Sequence, residues 1–268
     1  RCFVILIGER INAGFKDIAN AIREKDPTAV EKWAKLQAEQ GADYLDVNIG
    51  AASRDPEDMA WLVKTTIAVV PTKISVDSTK IEAVQAGLEA LDGRDCLINS
   101  TTADPGKLEK LVPLAVKHNA SLLGLAMDER GSPQNVERRV ENAAMVFMAA
   151  IEGGLPPERL FLDPILMPIK FMQEQVQNVL EAIEQFTHLS DPSPHISIGL
   201  SNIASKTTER GLIVRTFLVM AMMRGLDAAI CNVMDNELIA AVATAELMLN
   251  QEIYSDSYER AFRARRGL

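Results

Sequence analysis

The sequence has few of the residues that define several common protein classes. Its 268 residues include only three cysteines and three histidines. These residues are Cys2, Cys96, Cys231, His118, His188 and His195. None belongs to a CxxC pair, an HExxH motif or a mixed Cys/His cluster, so the spacing indicates neither a disulfide framework nor a zinc site. We expect reduced thiols in a cytoplasmic protein, structural histidines, and no metal ion bound to this chain.

Long apolar runs and an excess of positive charge are also absent. No stretch approaches the ~20 apolar residues of a membrane helix, and the apolar start Phe3–Ile7 meets Glu9 and Arg10 at once, as a first strand does. Lys plus Arg number 28 and Asp plus Glu 37, a net charge of −9 that disfavours nucleic acid. The basic run at residues 260–266 is expected to be a solvated helix end. We therefore expect no membrane or nucleic-acid partner.

What is present is a repeated alternation of short apolar runs with longer segments of helical period. The runs are nearly continuous and rich in β-branched residues or Leu, which is typical of parallel strands buried on both faces. The predicted strands are Phe3–Ile7, Asp43–Val47, Lys73–Val76, Cys96–Ile98, Ser121–Ala126, Arg159–Leu162, His195–Leu200 and Asp227–Cys231. Between them apolar residues recur at helical spacing, as in Ile81, Val84, Leu88 and Leu91.

Helix boundaries are marked by local signals. A capping side chain precedes Pro at Asp26, Asp55, Asp104 and Ser132, which predicts helix starts there. Helix ends are predicted near Gly41, Gly93, Gly153 and Gly225, and Pro113 predicts a kink or a shortened helix.

Eight strand–helix units predict a single α/β domain over residues 1–268, a (β/α)₈ TIM barrel. A doubly wound open sheet is less favoured, because eight units would make it unusually wide and GERINAG at residues 8–14 lacks the GxGxxG spacing of a phosphate loop.

Polar side chains collect where the predicted strands end. In a barrel of this type the chemistry lies at the carboxyl ends of the strands. The polar residues at these ends are Glu9, Asp46, Asn48, Asp77, Asn99, Asp128, Asp163, Asn202 and Asn232. For Asp46, Asp128 and Asn232 we favour capping or a scaffold role. For Asp77, Asn99, Asp163 and Asn202 we favour ligand binding, because charged groups at such positions are seldom buried without a partner.

The residue types suit a pterin. A 2-amino-4-oxopteridine ring presents N–H donors that carboxylates accept in bidentate fashion, and it presents acceptors to which an Asn amide donates. A phosphate-rich ligand would call instead for Arg, Lys or backbone N–H groups.

The motifs in this order resemble the pterin-binding family of barrels. They are Gly8-Glu9-Arg10-Ile11-Asn12, Leu45-Asp46-Val47-Asn48-Ile49-Gly50, Val76-Asp77-Ser78-Thr79, Ile98-Asn99-Ser100-Thr101, Leu162-Asp163-Pro164 and Gly199-Leu200-Ser201-Asn202. Within that family the chain is most similar to the methyltetrahydrofolate:corrinoid/iron–sulfur protein methyltransferases and to folate methyltransferases of corrinoid-dependent demethylation systems.

This resemblance implies roles for particular residues. Asp77, Asn99 and Asp163 are implied to hold the pterin ring, and Asn202 to donate a hydrogen bond to N5, the nitrogen that carries the methyl group. Gly199 and Ser201 are implied to line the same wall. Glu9, Asn48 and Arg210 complete the expected folate site, although Arg210 could instead cap a loop or pair with Glu209.

The expected reaction is methyl transfer between N5 of 5-methyltetrahydrofolate and the cobalt of a corrinoid. Cleavage of the N–CH₃ bond requires stabilisation of charge developing on N5, so we expect Asn202 and Asp163 to be catalytic residues and a proton to arrive through water. The chain has no DxHxxG signature, so the corrinoid is expected on a partner protein, with free cobalamin as the alternative.

The resemblance also implies a homodimer, which the sequence alone does not show. Two alternatives are open. A dihydropteroate synthase-like enzyme is disfavoured because the segment Cys231–Asp235 lacks a cation. A noncatalytic folate- or corrinoid-binding module is the other alternative.

Overall fold

The protein is described by a computed structural model that covers residues 4–50 and 52–251. Within these residues eight strands form one parallel sheet. The strands are β1 (Ile5–Asn12), β2 (Tyr44–Asn48), β3 (Lys73–Asp77), β4 (Cys96–Thr102), β5 (Ser121–Leu125), β6 (Leu160–Asp163), β7 (His195–Ile196) and β8 (Ala228–Cys231). Cys2, Phe3 and the basic run at 260–266 lie outside the described residues.

Helices follow every strand. They are α1 (Lys16–Glu24), α2 (Thr28–Glu39), α3 (Pro56–Ile67), α4 (Ile81–Ala90), α5 (Pro105–Lys117), α6 (Val136–Glu152), α7 (Gln175–Phe186), α8 (Arg210–Met223) and α9 (Asn236–Met248). The first strand is followed by two helices, α1 and α2, and each later strand by one.

The sheet curls into a nearly closed barrel. β1 pairs with both β2 and β8, and the other strands pair in chain order as far as β7. The gap between β7 and β8 is bridged by Gly199 beside Ile230 and by a hydrogen bond of 2.9 Å from the Ile230 N–H to the Ile198 carbonyl. The prediction of a TIM barrel is therefore confirmed.

Several local predictions hold. The side chains of Asp55 and Asp104 accept hydrogen bonds from the first turns of α3 and α5. Gly41, Gly93 and Gly225 adopt φ values of +85°, +80° and +106°, which end helices with little strain only when the residue is glycine.

Other local predictions are wrong or only partly right. Helix α6 starts three residues beyond Pro133, because Asn135 and not Ser132 caps it. The predicted helix end near Gly153 is correct, since α6 ends at Glu152 with Gly153 as its C-cap, and the left-handed residue is the next one, Gly154, at φ +89°. Helix α5 is not shortened at Pro113, since it runs from Pro105 to Lys117, and the alternative of a kink there stays a prediction. Strand β7 has two residues where six were expected, because the chain turns into a 3₁₀ helix at Leu200–Asn202.

The barrel interior has an apolar floor. Ile7, Tyr44, Leu97, Leu123 and Phe161 form a buried cluster inside the sheet. His195 closes this floor by stacking on Phe161 with ring centroids 4.5 Å apart. A separate, larger core lies between the sheet and the helices.

The positions of these apolar residues on their strands also indicate which side chains point toward the mouth of the barrel. Side chains two residues apart on a strand share a face. The next inward-facing positions after Ile7, Tyr44, Leu97 and Phe161 are therefore Glu9, Asp46, Asn99 and Asp163.

Candidate functional site

Five polar side chains from three neighbouring strands meet at the mouth of the barrel. Asp46 and Asn48 lie on β2, Ser75 and Asp77 on β3, and Asn99 on β4. The parallel register sets Asp46 beside Ser75 and Asn48 beside Asp77. The two-residue spacing on each strand directs all of them toward one face.

The contacts within this cluster are direct. Asp46 Oδ1 accepts hydrogen bonds from Ser75 Oγ at 2.6 Å and from Asn99 Nδ2 at 3.0 Å. Asn48 Nδ2 donates to Asp77 Oδ2 at 2.5 Å. Asp46, Ser75 and Asn99 are buried, while Asp77 and Asn48 are partly open to solvent. The cluster thus presents Asp77 outward and uses Asp46 as its internal support.

Asp46 and Asp77 are interacting acids whose pKa values are both raised. Burial raises the pKa of Asp46 well above its usual value, and the adjacent Asp77 carboxylate raises it further. Burial also raises the pKa of Asp77, but hydrogen bonds from Asn48 and Asp46 oppose that shift. Two carboxylates in contact do not both ionise easily. Asp46 is therefore the more readily protonated of the two acids, and Asp77 is the better hydrogen-bond acceptor.

Asp163 forms a second acidic point at the end of β6. Its Oδ1 accepts from the Ile165 N–H at 2.7 Å and its Oδ2 from the Gly199 N–H at 3.3 Å. Burial raises the pKa of Asp163 to about 6, while the two N–H groups and the charge of Arg139 oppose the shift. The carboxylate is thus ionised at neutral pH although its side chain is buried.

The segment after β7 brings Asn202 beside Gly199. The Asn202 N–H donates to the Gly199 carbonyl at 3.2 Å, which closes the 3₁₀ turn. A Cβ atom at Gly199 would lie 2.9 Å from Asn202 Nδ2, so glycine is needed for this approach. The Asn202 side chain is exposed, and its amide has no hydrogen-bond partner within the described part of the chain. It is therefore available to a ligand.

Glu9, Ser201 and Arg210 lie together on another part of the rim. Ser201 Oγ donates to Glu9 Oε1 at 2.7 Å. Burial raises the pKa of Glu9, while the Ser201 hydrogen bond and the charge of Arg210 oppose that shift. These residues line a cavity of about 490 Å³ with Arg10, Phe15, Trp33 and the start of α9.

The local shape of β1 depends on a buried side chain of α2. The pairing of β1 with β2 shifts register between Gly8 and Ile11. Gln37 Oε1 accepts from the Arg10 N–H at 3.0 Å within this irregular stretch. A Cβ at Gly8 would lie 2.5 Å from the same oxygen, so Gly8 leaves the space that Gln37 occupies.

The structure brings most of the predicted site residues into hydrogen-bonded groups. Asn48, Asp77 and Asn99 join the cluster around Asp46, and Gly199 and Asp163 are linked directly. Only Glu9, Ser201 and Arg210 of the predicted set line the rim cavity. Arg210 is exposed and acts on Glu9 through its charge. The ligand-binding roles assigned to these residues stay predictions.

One buried residue near the site was missed. Asp46 was interpreted as a cap or scaffold residue, and the hydrogen bonds that it accepts from Ser75 and Asn99 agree with a scaffold role. Arg139 was not considered. It lies at helical spacing with Val136, Ala143 and Val146, and an arginine on that apolar face was the available signal.

Carboxyl and carboxamide groups point inward at the carboxyl ends of the barrel strands. This arrangement is typical of enzymes that bind small molecules at the mouth of a barrel. Residues 8–232 match the family model described as "Pterin binding enzyme". The chain therefore belongs to the pterin-binding enzyme family, as its motifs predicted.

Two curated relatives show which pterin-binding proteins the chain resembles in sequence. The chain is 29% identical over 263 residues to methylcorrinoid:tetrahydrofolate methyltransferase of Eubacterium limosum, a match that covers 97% of this chain and 96% of that protein. It is 32% identical over 240 residues to methionine synthase of Mycobacterium leprae (strain TN), covering 85% of this chain but 20% of that protein. The chain thus corresponds to about a fifth of that methionine synthase.

A solved structure agrees with the fold. The structure titled "Yersinia pestis DHPS with pterine-sulfa conjugate Compound 16" superimposes with a TM-score of 0.64 over 92% of this chain and 95% of that chain, at 14% sequence identity. At this identity the match supports the barrel architecture alone. Within the described residues, none of the helices has the length and apolar character to span a membrane.

Proposed function

We propose that this protein moves a methyl group between N5 of 5-methyltetrahydrofolate and the cobalt of a corrinoid carried by a partner protein. The observation that carries the proposal is the pair of acidic groups at the mouth, Asp77 and Asp163, supported by the buried amide Asn99 and by Asp46. The near-full-length similarity to a methylcorrinoid:tetrahydrofolate methyltransferase supports this reaction over the others of pterin-binding barrels.

Recognition of the pterin rests on ionised acceptors. Asp77 and Asp163 accept hydrogen bonds from the ring N–H groups and the exocyclic amine, and the amide of Asn99 contacts the ring from the adjacent strand. Because Asp46 is the more readily protonated of the two acids, Asp77 is the acceptor that is offered to the ring. Glu9, Asn48, Gly199, Ser201 and Arg210 line the remaining folate surface.

The chemical step requires that the negative charge developing on N5 be stabilised. When the methyl group passes from N5 to the electron pair of Co(I), the N–C bond breaks and N5 gains a proton. The side-chain amide of Asn202 donates a hydrogen bond to N5 that strengthens toward the transition state, and water delivers the proton. The barrel supplies orientation and hydrogen bonds, while the corrinoid substrate supplies the nucleophilic cobalt.

The partner interactions follow from the same proposal. The corrinoid protein approaches the open carboxyl end of the barrel, where the methyl group is presented. The whole chain, residues 1–268, functions as one cytoplasmic domain that forms a homodimer. Val219, Met220 and Met223 on α8 and Met248 on α9 are exposed and supply an apolar face for a second copy.

Dimer formation is tested by light scattering after size-exclusion chromatography. A Met223→Glu substitution is expected to give a monomer, since it introduces a charge into the proposed interface. Met145→Glu on α6, which is also an exposed apolar position, is the matched control and should leave a dimer. A wild-type monomer, or a dimer that tolerates Met223→Glu, contradicts this arrangement.

Methyl transfer is tested anaerobically with 5-methyltetrahydrofolate and cob(I)alamin, followed by visible absorbance as methylcobalamin forms. The reverse assay starts from methylcobalamin and tetrahydrofolate. Turnover in either direction that is lost in Asp163→Asn, but kept in Arg138→Met on the outer helix α6, supports the proposal. Folate binding without turnover, with free cobalamin or any candidate corrinoid protein, would favour a noncatalytic binding module.

A further inference from the structure

The largest fully buried polar side chain of the described residues belongs to Arg139 of α6. Its side chain has no exposed surface. Nε donates to the Pro164 carbonyl at 2.8 Å, Nη1 to the Asn135 carbonyl at 3.1 Å and Nη2 to the Ile165 carbonyl at 3.4 Å. The guanidinium thus joins the start of α6 to the loop that follows β6.

Burying a guanidinium is costly when no carboxylate lies in direct contact with it. Among the described residues no carboxylate lies within ion-pair distance of Arg139. Burial lowers the pKa of Arg139 to about 10, and the charge of Asp163 opposes this shift. Arg139 therefore remains protonated at neutral pH, compensated by three carbonyls and by the more distant Asp163 carboxylate.

The loop that Arg139 contacts has an unusual backbone. Ile165 adopts φ +67°, a left-handed conformation that is a genuine outlier for a β-branched residue. Such a conformation is strained and persists only where surrounding contacts impose it. Here the Ile165 N–H donates to Asp163 Oδ1, while the Ile165 carbonyl accepts from Arg139. The strained residue is thus held on both sides.

We propose that Arg139 is a positioning residue for pterin recognition, because its guanidinium holds the Asp163–Ile165 turn and stabilises the ionised Asp163 carboxylate that faces the ligand. The identity of the ligand in this inference rests on the proposed function. The coupling between Arg139 and Asp163 does not depend on it.

The charges around Asp163 make the effect measurable. The Ile165 N–H in the loop after β6 and the Gly199 N–H in the segment after β7 donate hydrogen bonds to Asp163, and neither donor carries a charge. Arg139 on α6 is the charged group of the described residues whose field acts on it. Removal of that charge should raise the pKa of Asp163 further, so that the acid becomes protonated nearer to neutral pH.

The test compares the wild type with Arg139→Met and Arg139→Lys, and uses Arg138→Met as the matched control on the same helix. Arg138 pairs with Asp128 and Glu141 and not with the turn. The Asp163 carboxyl resonance is followed by ¹³C NMR in ligand-free protein and assigned by its loss in Asp163→Asn. Binding of 5-methyltetrahydrofolate is measured by calorimetry from pH 5.5 to 8.5.

Arg139→Met is expected to move the Asp163 titration midpoint upward by about one pH unit, with about tenfold weaker folate binding below that midpoint. Arg139→Lys keeps the charge but loses the fork that spans the two loop carbonyls, so it should retain the midpoint and still bind folate more weakly. Arg138→Met should match the wild type. An unchanged midpoint, or unchanged affinity in Arg139→Met, overturns the proposal.

Two further outcomes are distinguishable. A wild type that does not bind folate, with a shifted Asp163 midpoint in Arg139→Met, refutes the proposed function and leaves the positioning of Asp163 by Arg139 intact. If Arg139→Met does not fold, Arg139→Lys decides the question, because wild-type folate affinity in that variant overturns the need for the guanidinium.

Discussion

Replacement of Asp163 by Asn should make the ligand-free protein more stable at neutral pH while it removes pterin binding. Burial raises the pKa of Asp163 from the ordinary value of 3.8 to about 6. An acid whose folded pKa lies above its unfolded pKa favours the folded state below the lower value, and this contribution is lost as pH rises through the higher value. A shift of about 2 units costs about 3 kcal/mol at pH 7.5.

Asn resembles the protonated acid and does not carry this cost. It can still accept from the Ile165 N–H through its oxygen, but its amide nitrogen would oppose the Gly199 N–H, which costs about 1 kcal/mol. The net stabilisation expected for Asp163→Asn is therefore about 1–2 kcal/mol at pH 7.5. It should shrink as the pH falls from 6 toward 3.8 and reverse where the acid is protonated in both states.

Urea unfolding at several pH values measures this difference, with Asp128→Asn as a control acid on the rim that pairs with Arg138. The same samples are titrated with 5-methyltetrahydrofolate. A stability difference between Asp163→Asn and wild type that does not change between pH 7.5 and 4.5 would refute the assignment of a raised pKa. Retained folate affinity in Asp163→Asn would refute its role as a charged acceptor.

Three other substitutions test separate parts of the site. Asn202→Ala should lower kcat/KM by about 10²-fold in single-turnover methyl transfer, as loss of one transition-state donor does. Asn178→Ala on α7 is the control and should have no effect. Equal rates in Asn202→Ala and the wild type would exclude the role at N5. Asp46→Asn should keep folate affinity within about threefold by calorimetry, since an amide still donates to Asp77. A tenfold loss would contradict the inference that Asp46 is the more readily protonated acid. Gly8→Ala should lower the free energy of unfolding by about 1–3 kcal/mol, because its Cβ would overlap a buried Gln37 oxygen. An unchanged denaturation midpoint would show that β1 accommodates the added methyl group.

Predictions about helix and strand order succeeded because they depend on neighbours a few residues apart. Alternating apolar runs and helical segments are local, and so are caps such as Asp55 and Asp104. Predictions failed where two local signals competed, as at Ser132 and Asn135, or where a turn replaced a strand after Ile196. At Pro113 the helix continues although the residue lacks an N–H donor.

Candidate site residues were accessible for a similar reason. A polar residue at the end of an apolar strand is visible along the chain, so Asp77, Asn99 and Asp163 could be named from their strands. Their protonation states could not, because the pKa of Asp163 is raised through burial by distant segments and is lowered again by the charge of Arg139 on α6. The support that Asp46 receives from Asn99 joins residues separated by 53 positions.

The order of residues along the chain thus specified an eight-stranded barrel and the acids and amides at its mouth, because periodicity and strand ends are properties of short segments. The folded arrangement specified which acid is the more readily protonated, which arginine is buried behind the Asp163 turn, and where the rim cavity lies. Those properties depend on the dielectric surroundings and on contacts between distant segments, and such contacts exist only once the strands have closed around the apolar floor.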